Sequence, residues 1–244
     1  MLEYFYSTHG GYIMALTTAE MYFLITSKSK DSRVMLKNVR LRAYFVDSCL
    51  LDLAAAGVIK LGEDNRIDIV DNLPHKLYFL NSFMDLIIRN KNEDVDTIMA
   101  KLLQNIDVMK HTYMALGEQF YEGGHVLEKK KGLVHKVRTF VPKNQTNQEI
   151  IEAIYDQMMG SAPMTVNVYC LAKMLTVSRQ LKLCFKSRER RVICTRLKRL
   201  SEHPEYDHIQ ELINIFGDHM RNVAALVAKE QPASYMTKTK TSTI

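Results

Sequence analysis

Apolar and polar positions along the chain alternate between two periods, and the order of the switches is the first information the sequence offers. The stretch "TTAEMYFLI" (17–25) opens a helix: Thr17 and Glu20 have the T-x-x-E spacing in which each side chain satisfies a backbone donor of the first turn. A second helix is expected from about Asn38 to Ala56, where Leu41, Phe45, Val46, Leu50 and Leu53 cover most of the circumference. A helix that is apolar nearly all round belongs in the middle of a domain. Gly57 can take the left-handed conformation that ends it, and "VIKL" and "RIDIV" then alternate about "GEDN" as a hairpin. The same grammar returns later. "DVMKHTYMALGEQFYE" is helical, Gly123 and Gly124 stop it, and "HVLE" and "LVHKVRTFV" flank the turn "KKKG".

Between the two units, "LPHKLYFLNSFMDLIIRN" and "DVDTIMAKLLQ" read as helices, and beyond Pro142 the pattern is helical almost throughout. The tail from 229 to 244 has no periodicity and is expected to be disordered. The expected fold is mainly α: a single globular helical domain over 14–228, after a 1–13 extension, with two small β-hairpins that form winged-helix-like helix–hairpin units.

Composition narrows the setting. Hydrophobic residues at 47% and charged residues at 25% are ordinary for a soluble domain, and +6 with a pI near 9.0 leans towards anionic partners. Four dispersed cysteines without a C-x-x-C pair suit a reducing, cytoplasmic compartment. The N-terminus lacks the features of a signal peptide, and no apolar run reaches the ~18 to 20 residues of a transmembrane helix.

Catalytic signatures are missing. The sequence has no G-x-G-x-x-G, P-loop, H-E-x-x-H or G-x-S-x-G. "HPEYDH" (203–208) reads as an inter-helix turn, and His125 with His135, placed on opposite strands of the second hairpin, are too few for a zinc site. The expectation is a non-enzymatic protein with no metal or cofactor. Positive charge, by contrast, is clustered: six cations between Lys28 and Arg42, five between Lys129 and Arg138, and eight between Lys182 and Arg199, nineteen of the 33 Lys and Arg. Arg40 and Arg42 stand where a helix dipole disfavours cations but where free backbone N–H groups attract anions, which marks a phosphate site. Non-specific nucleic-acid binding is the alternative, although neither helix before a hairpin offers a good base-reading face.

The succession "LTTAEMYFLI" (16–25), "LLDLAAAGVIKL" (50–61), "FYEGGHVLEKK" (120–130), "VNVYCLAKML" and "RRVICTRLKRL" resembles the Golgi phosphoprotein 3 family, including its bacterial relatives. The resemblance implies a helical domain with a projecting hairpin. In eukaryotic members it implies a cytosolic adaptor that recognises phosphatidylinositol 4-phosphate on Golgi membranes, retains protein cargo and self-associates through the second hairpin. Of that family's pocket, the tryptophan position holds Lys37, the arginine position Val46, and the basic pair falls on Lys110 and Tyr113. Headgroup contact is therefore expected from Lys110, with Arg42 (one turn before Val46), Lys37 and Tyr113. Lys129, Lys130 and Lys131 replace the apolar hairpin tip of eukaryotic members and are expected to touch a membrane surface electrostatically.

Overall fold

The computed structural model describes residues 16–29, 36, 38–62, 65–131, 137–159, 164–177, 179–204 and 207–230. The order is α1 (Thr18–Ser29), α2 (Val39–Ala55), β1 (Ile59–Leu61), β2 (Ile67–Ile69), a 3₁₀ turn (His75–Leu80), α3 (Asn81–Arg89), α4 (Val95–Gln104) and α5 (Ile106–Glu122). There follow β3 (Val126–Lys131), β4 (Val137–Pro142), α6 (Asn144–Met159), α7 (Val166–Val177), a 3₁₀ turn (Leu181–Leu183), α8 (Ser187–Leu200) and α9 (Asp207–Glu230). The mainly helical expectation holds, and each sheet is one antiparallel pair.

Helix α1 is buried from Ala19 to Ser27, and α2, α5, α6, α7 and strand β4 pack against it. Its start is the expected capping box: Thr17 N donates to Glu20 Oε2 at 2.8 Å and Glu20 N to Thr17 Oγ1 at 3.2 Å. A tertiary cap adds to it. Asp52, from the far end of α2, accepts from the N–H groups of Thr18 (2.8 Å) and Ala19 (2.9 Å). These bonds satisfy backbone donors that no intrahelical partner can reach. Helix α2 is buried from Leu41 to Leu53 apart from half-buried Tyr44, as its all-round apolar pattern requires.

The recurring helix–glycine–hairpin grammar has one backbone cause. After α2, Val58 N donates to Leu53 O and Gly57 N to Ala54 O, with Gly57 at φ +71°. After α5, His125 N donates to Phe120 O and Gly124 N to Tyr121 O, with Gly124 at φ +73°. Both are the paired closure of a left-handed helix end, which turns the chain back and launches it in extended form. A glycine suits the positive φ that each needs.

Three sequence expectations are corrected. Lys129, Lys130 and Lys131 do not form the second turn; they extend β3, in register with Thr139, Arg138 and Val137, because the antiparallel ladder runs three residues further than the apolar alternation indicated. His125 precedes β3 and is not a strand residue; its ring stands edge-on to Phe120 with centroids 6.3 Å apart. His135 lies outside the described residues. The single-helix reading of "LPHKLYFLNSFMDLIIRN" resolves into a 3₁₀ turn followed by α3, the N–H of Asn81 bonding back to Tyr78 O.

Candidate anion-binding surface

Contacts along α1 fix which helix ends lie together. Gln119 of α5 donates to Glu20 at 2.8 Å, and Tyr113, nearly two turns earlier, shares a 2.5 Å hydrogen bond with Ser27. Helix α5 therefore runs antiparallel to α1. Helix α2 does too, since Asp52 near its end caps the start of α1. The first turns of α2 and the N-terminal half of α5 thus meet at the C-terminal end of α1. Phe45 and Tyr113 mark the level where they adjoin, with ring centroids 6.1 Å apart. Arg42 and Lys110 are each three residues, one turn, before those rings.

The two cations differ in setting. Lys110 is exposed. Arg42 is 2% exposed, and burial lowers its pKa. Its Nη1 donates to the carbonyl of Leu36, while Nε and Nη2 are buried with no hydrogen-bond partner among the described residues. A guanidinium is a planar fork made for two oxygens of one carboxylate or phosphate. A buried donor without a partner costs roughly 1–3 kcal/mol and more when charged, so such groups are uncommon in folded proteins. Asn38 caps α2 beside it by accepting from Leu41 N at 3.1 Å. The positive end of a helix and a guanidinium with free donors are both groups that can donate to an oxyanion.

Tyr113 is 1% exposed. Its ring packs at 4.6 Å from that of Phe23, and its hydroxyl is held by Ser27, so it sits in the core beneath Lys110. Lys37 lies outside the described residues. Val46, at the family's arginine position, is fully buried. Arg42 stands between Leu41 and Phe45 in a helix that is apolar nearly all round, but no local signal distinguishes it from Arg40, which is exposed. The missing hydrogen-bond partners of Arg42 had no sequence signal.

The second cationic cluster is partly neutralised. Arg138 binds Glu118 at 2.7 Å and Glu128 at 3.1 Å and lies over the Phe140 ring. Lys129 is exposed, and Lys130 and Lys131 are placed by their strand register. A separate cleft of about 440 Å³ between α3, α4 and the start of α5 is lined by Ser82, Arg89, Asn90, Lys101 and Gln104 among others. Its cations are engaged: Lys101 with Glu93 at 2.5 Å and Asn90 at 2.7 Å, Arg89 with Asp85 at 3.9 Å. Among the described residues no His, Cys, Asp and Glu cluster could hold a metal, and no helix is long and apolar enough to cross a membrane.

The structure is thus a helical domain with two hairpins that brings a buried guanidinium and an exposed lysine towards one end. The family model described as Golgi phosphoprotein 3 (GPP34) matches residues 19–228, and the chain belongs to that family. No curated relative matched.

Proposed function

We propose that the chain is a non-enzymatic peripheral adaptor that binds an anionic phospholipid headgroup, of the phosphatidylinositol 4-phosphate type, where α2 and α5 begin. Family membership supports the adaptor class. One observation carries the lipid reading: Arg42 keeps two buried nitrogens without partners among the described residues at the start of α2, one turn below the level where α2 adjoins the helix of Lys110. A phosphate seated there accepts from the guanidinium fork, and Lys110 supplies the exposed counter-charge from α5. Lys37, one residue before the N-cap Asn38 in the sequence, stays a headgroup candidate by its position in the chain. Tyr113 holds α5 in place instead of touching the ligand, since its hydroxyl is committed to Ser27.

Lys129, Lys130 and Lys131 contribute non-specific attraction to the surrounding leaflet, each worth roughly 1 kcal/mol near anionic lipid. Self-association through the second hairpin and protein cargo belong to the same reading, as does the cytosolic Golgi face in a eukaryotic cell. Flotation with phosphatidylcholine vesicles, with and without phosphatidylinositol 4-phosphate, tests it beside duplex DNA in the same salt. Recruitment that needs the phosphoinositide and is lost in Lys110→Glu supports the proposal. Binding of DNA with every anionic vesicle left behind gives the nucleic-acid reading instead.

A further inference from the structure

Helix α8 carries the third cationic cluster, and the headgroup site makes no use of it. Its inner side is pinned by Ile193 and Leu197, both buried, against α6 and α7. At 100° per residue, Arg188, Arg191, Lys198 and Arg199 fall within one arc on the opposite side, and all four are exposed. Val192 and Cys194, also exposed, border the same arc. The helix contains one acid, Glu189, whose carboxylate accepts from the Lys186 N–H at 2.7 Å and so serves the helix start. Among the described residues, none of these four cations is in an ion pair, whereas Lys60, Arg89, Lys101 and Arg138 all are. Four like charges on one stripe repel one another, and among the described residues no acidic side chain lies within ion-pair distance of them.

The composition of the stripe selects its partner. Of the side chains that share base-edge reading in nucleic acid with Arg and Lys, it holds Thr195 alone and no Asn, Gln, Asp or Glu. It holds no aromatic anchor and no apolar centre of the kind that carries protein–protein affinity. What remains is charge spread along a helix of 14 residues, on the order of 21 Å at 1.5 Å per residue, lying flush on the body of the domain. A plane of fixed anions meets all four at once. Chain direction links the stripe to the headgroup end. Helix α7 runs parallel to α1, with Asn167 Nδ2 bonded to Leu16 O and Gln180, just past the end of α7, to the Tyr22 hydroxyl, so α7 runs in the direction of the end of α1 where Arg42 and Lys110 lie. Lys182 and Lys186, both exposed, continue from there into α8.

We infer that the outer face of α8 is a second membrane-contact surface, which adsorbs to anionic lipid by charge alone and without headgroup selectivity. The choice of a bilayer as the anionic partner rests on the headgroup reading; the uncompensated stripe does not.

The test is partition of the full chain onto phosphatidylcholine vesicles containing phosphatidylserine and no phosphoinositide. Each cation near an anionic leaflet is worth roughly fivefold, so the quadruple variant R188Q/R191Q/K198Q/R199Q should bind on the order of several hundred-fold more weakly. The wild-type affinity should fall steeply with salt. Binding of a soluble inositol phosphate should stay unchanged in the quadruple variant, which also shows that it folds. A matched pair, R188Q/R191Q against K76Q/K91Q (exposed lysines of the first 3₁₀ turn and of the turn after α3), separates the stripe from general loss of charge. A polarity-sensitive dye on Cys194 should respond to these vesicles. The inference is overturned if the quadruple variant partitions normally, if K76Q/K91Q loses as much as R188Q/R191Q, or if the stripe is needed for duplex DNA and not for vesicles. Loss of inositol phosphate binding in Lys110→Glu, with phosphatidylserine adsorption intact, upholds both sites. No effect of Lys110→Glu or Arg42→Met on inositol phosphate binding, with the quadruple variant still defective on vesicles, removes the headgroup site and leaves α8 standing.

Discussion

The ring of Phe140 fills the space that a Cβ on Gly117 would need: an ideal Cβ there would lie 1.9 Å from Phe140 Cδ2. This contact lets β4 press against the middle of α5. Gly117→Ala should gain up to about 1 kcal/mol of helix propensity. It should lose more through overpacking, which typically costs about 1–3 kcal/mol, because both residues are buried and the ring has little room to retreat. The expected result is a lower thermal midpoint in Gly117→Ala. In the Phe140→Ala background the same substitution should be neutral or stabilising, and additive effects in the double-mutant cycle would disprove the contact.

Much of this architecture was legible in the chain because the deciding signals are local. The Thr17–Glu20 capping box, the all-round apolar run from Leu41 to Leu53, and the stops at Gly57 and Gly124 each depend on a few neighbouring residues. Long-range pairing was not legible. Nothing near Asp52 indicates that its carboxylate caps a helix more than 30 residues earlier, and nothing near Tyr113 points to Ser27. The candidate site suffers most from this gap. Lys110, Arg42 and Tyr113 were selected by position, but only the packed structure separates an exposed lysine from a buried guanidinium and a core tyrosine.

Tyr113 and Ser27 form a buried hydroxyl pair, so Tyr113→Phe removes one partner and leaves the other unsatisfied. The cost should be about 1–2 kcal/mol of unfolding free energy, measured by chemical denaturation. Headgroup affinity of the folded fraction should be unchanged, because the hydroxyl is buried and bonded to Ser27. A large loss of affinity without loss of stability would place Tyr113 in direct contact with it.

Arg42 allows the opposite separation of stability from binding. Replacing a buried cation that has two nitrogens unpartnered among the described residues with an apolar side chain of similar length removes a desolvation cost. Arg42→Met should therefore be at least as stable as the wild type without ligand. The thermal shift produced by an inositol phosphate should largely disappear. A wild-type-sized ligand shift in Arg42→Met would exclude the guanidinium from the site.

Glu20 and Asp52 give the fold a pH dependence whose sign follows from their surroundings. Burial raises the Glu20 carboxyl from 4.5 to about 7, opposed by the Thr17 N–H and with Asp52 adding repulsion. Burial likewise raises Asp52 from 3.8 to about 6, opposed by hydrogen bonds from Ala19, Thr17 and Thr18. Lys76 favours the charged form of Glu20 only weakly. For both groups the neutral form is the better fit. Their contribution to stability is fully present below the ordinary values of 4.5 and 3.8 and is lost as pH rises through about 6 and about 7. The thermal midpoint should accordingly fall between about pH 5 and pH 8, with Glu20 alone responsible for on the order of 3 kcal/mol. Glu20→Gln cannot ionise and should flatten that slope. Asp52→Asn behaves differently: it keeps a single side-chain oxygen where two backbone N–H groups now find separate acceptors, so it should cost about 1–2 kcal/mol even under acidic conditions. Midpoints by differential scanning calorimetry across this range decide the matter, and an unchanged slope in Glu20→Gln would show that Glu20 does not titrate in the folded protein.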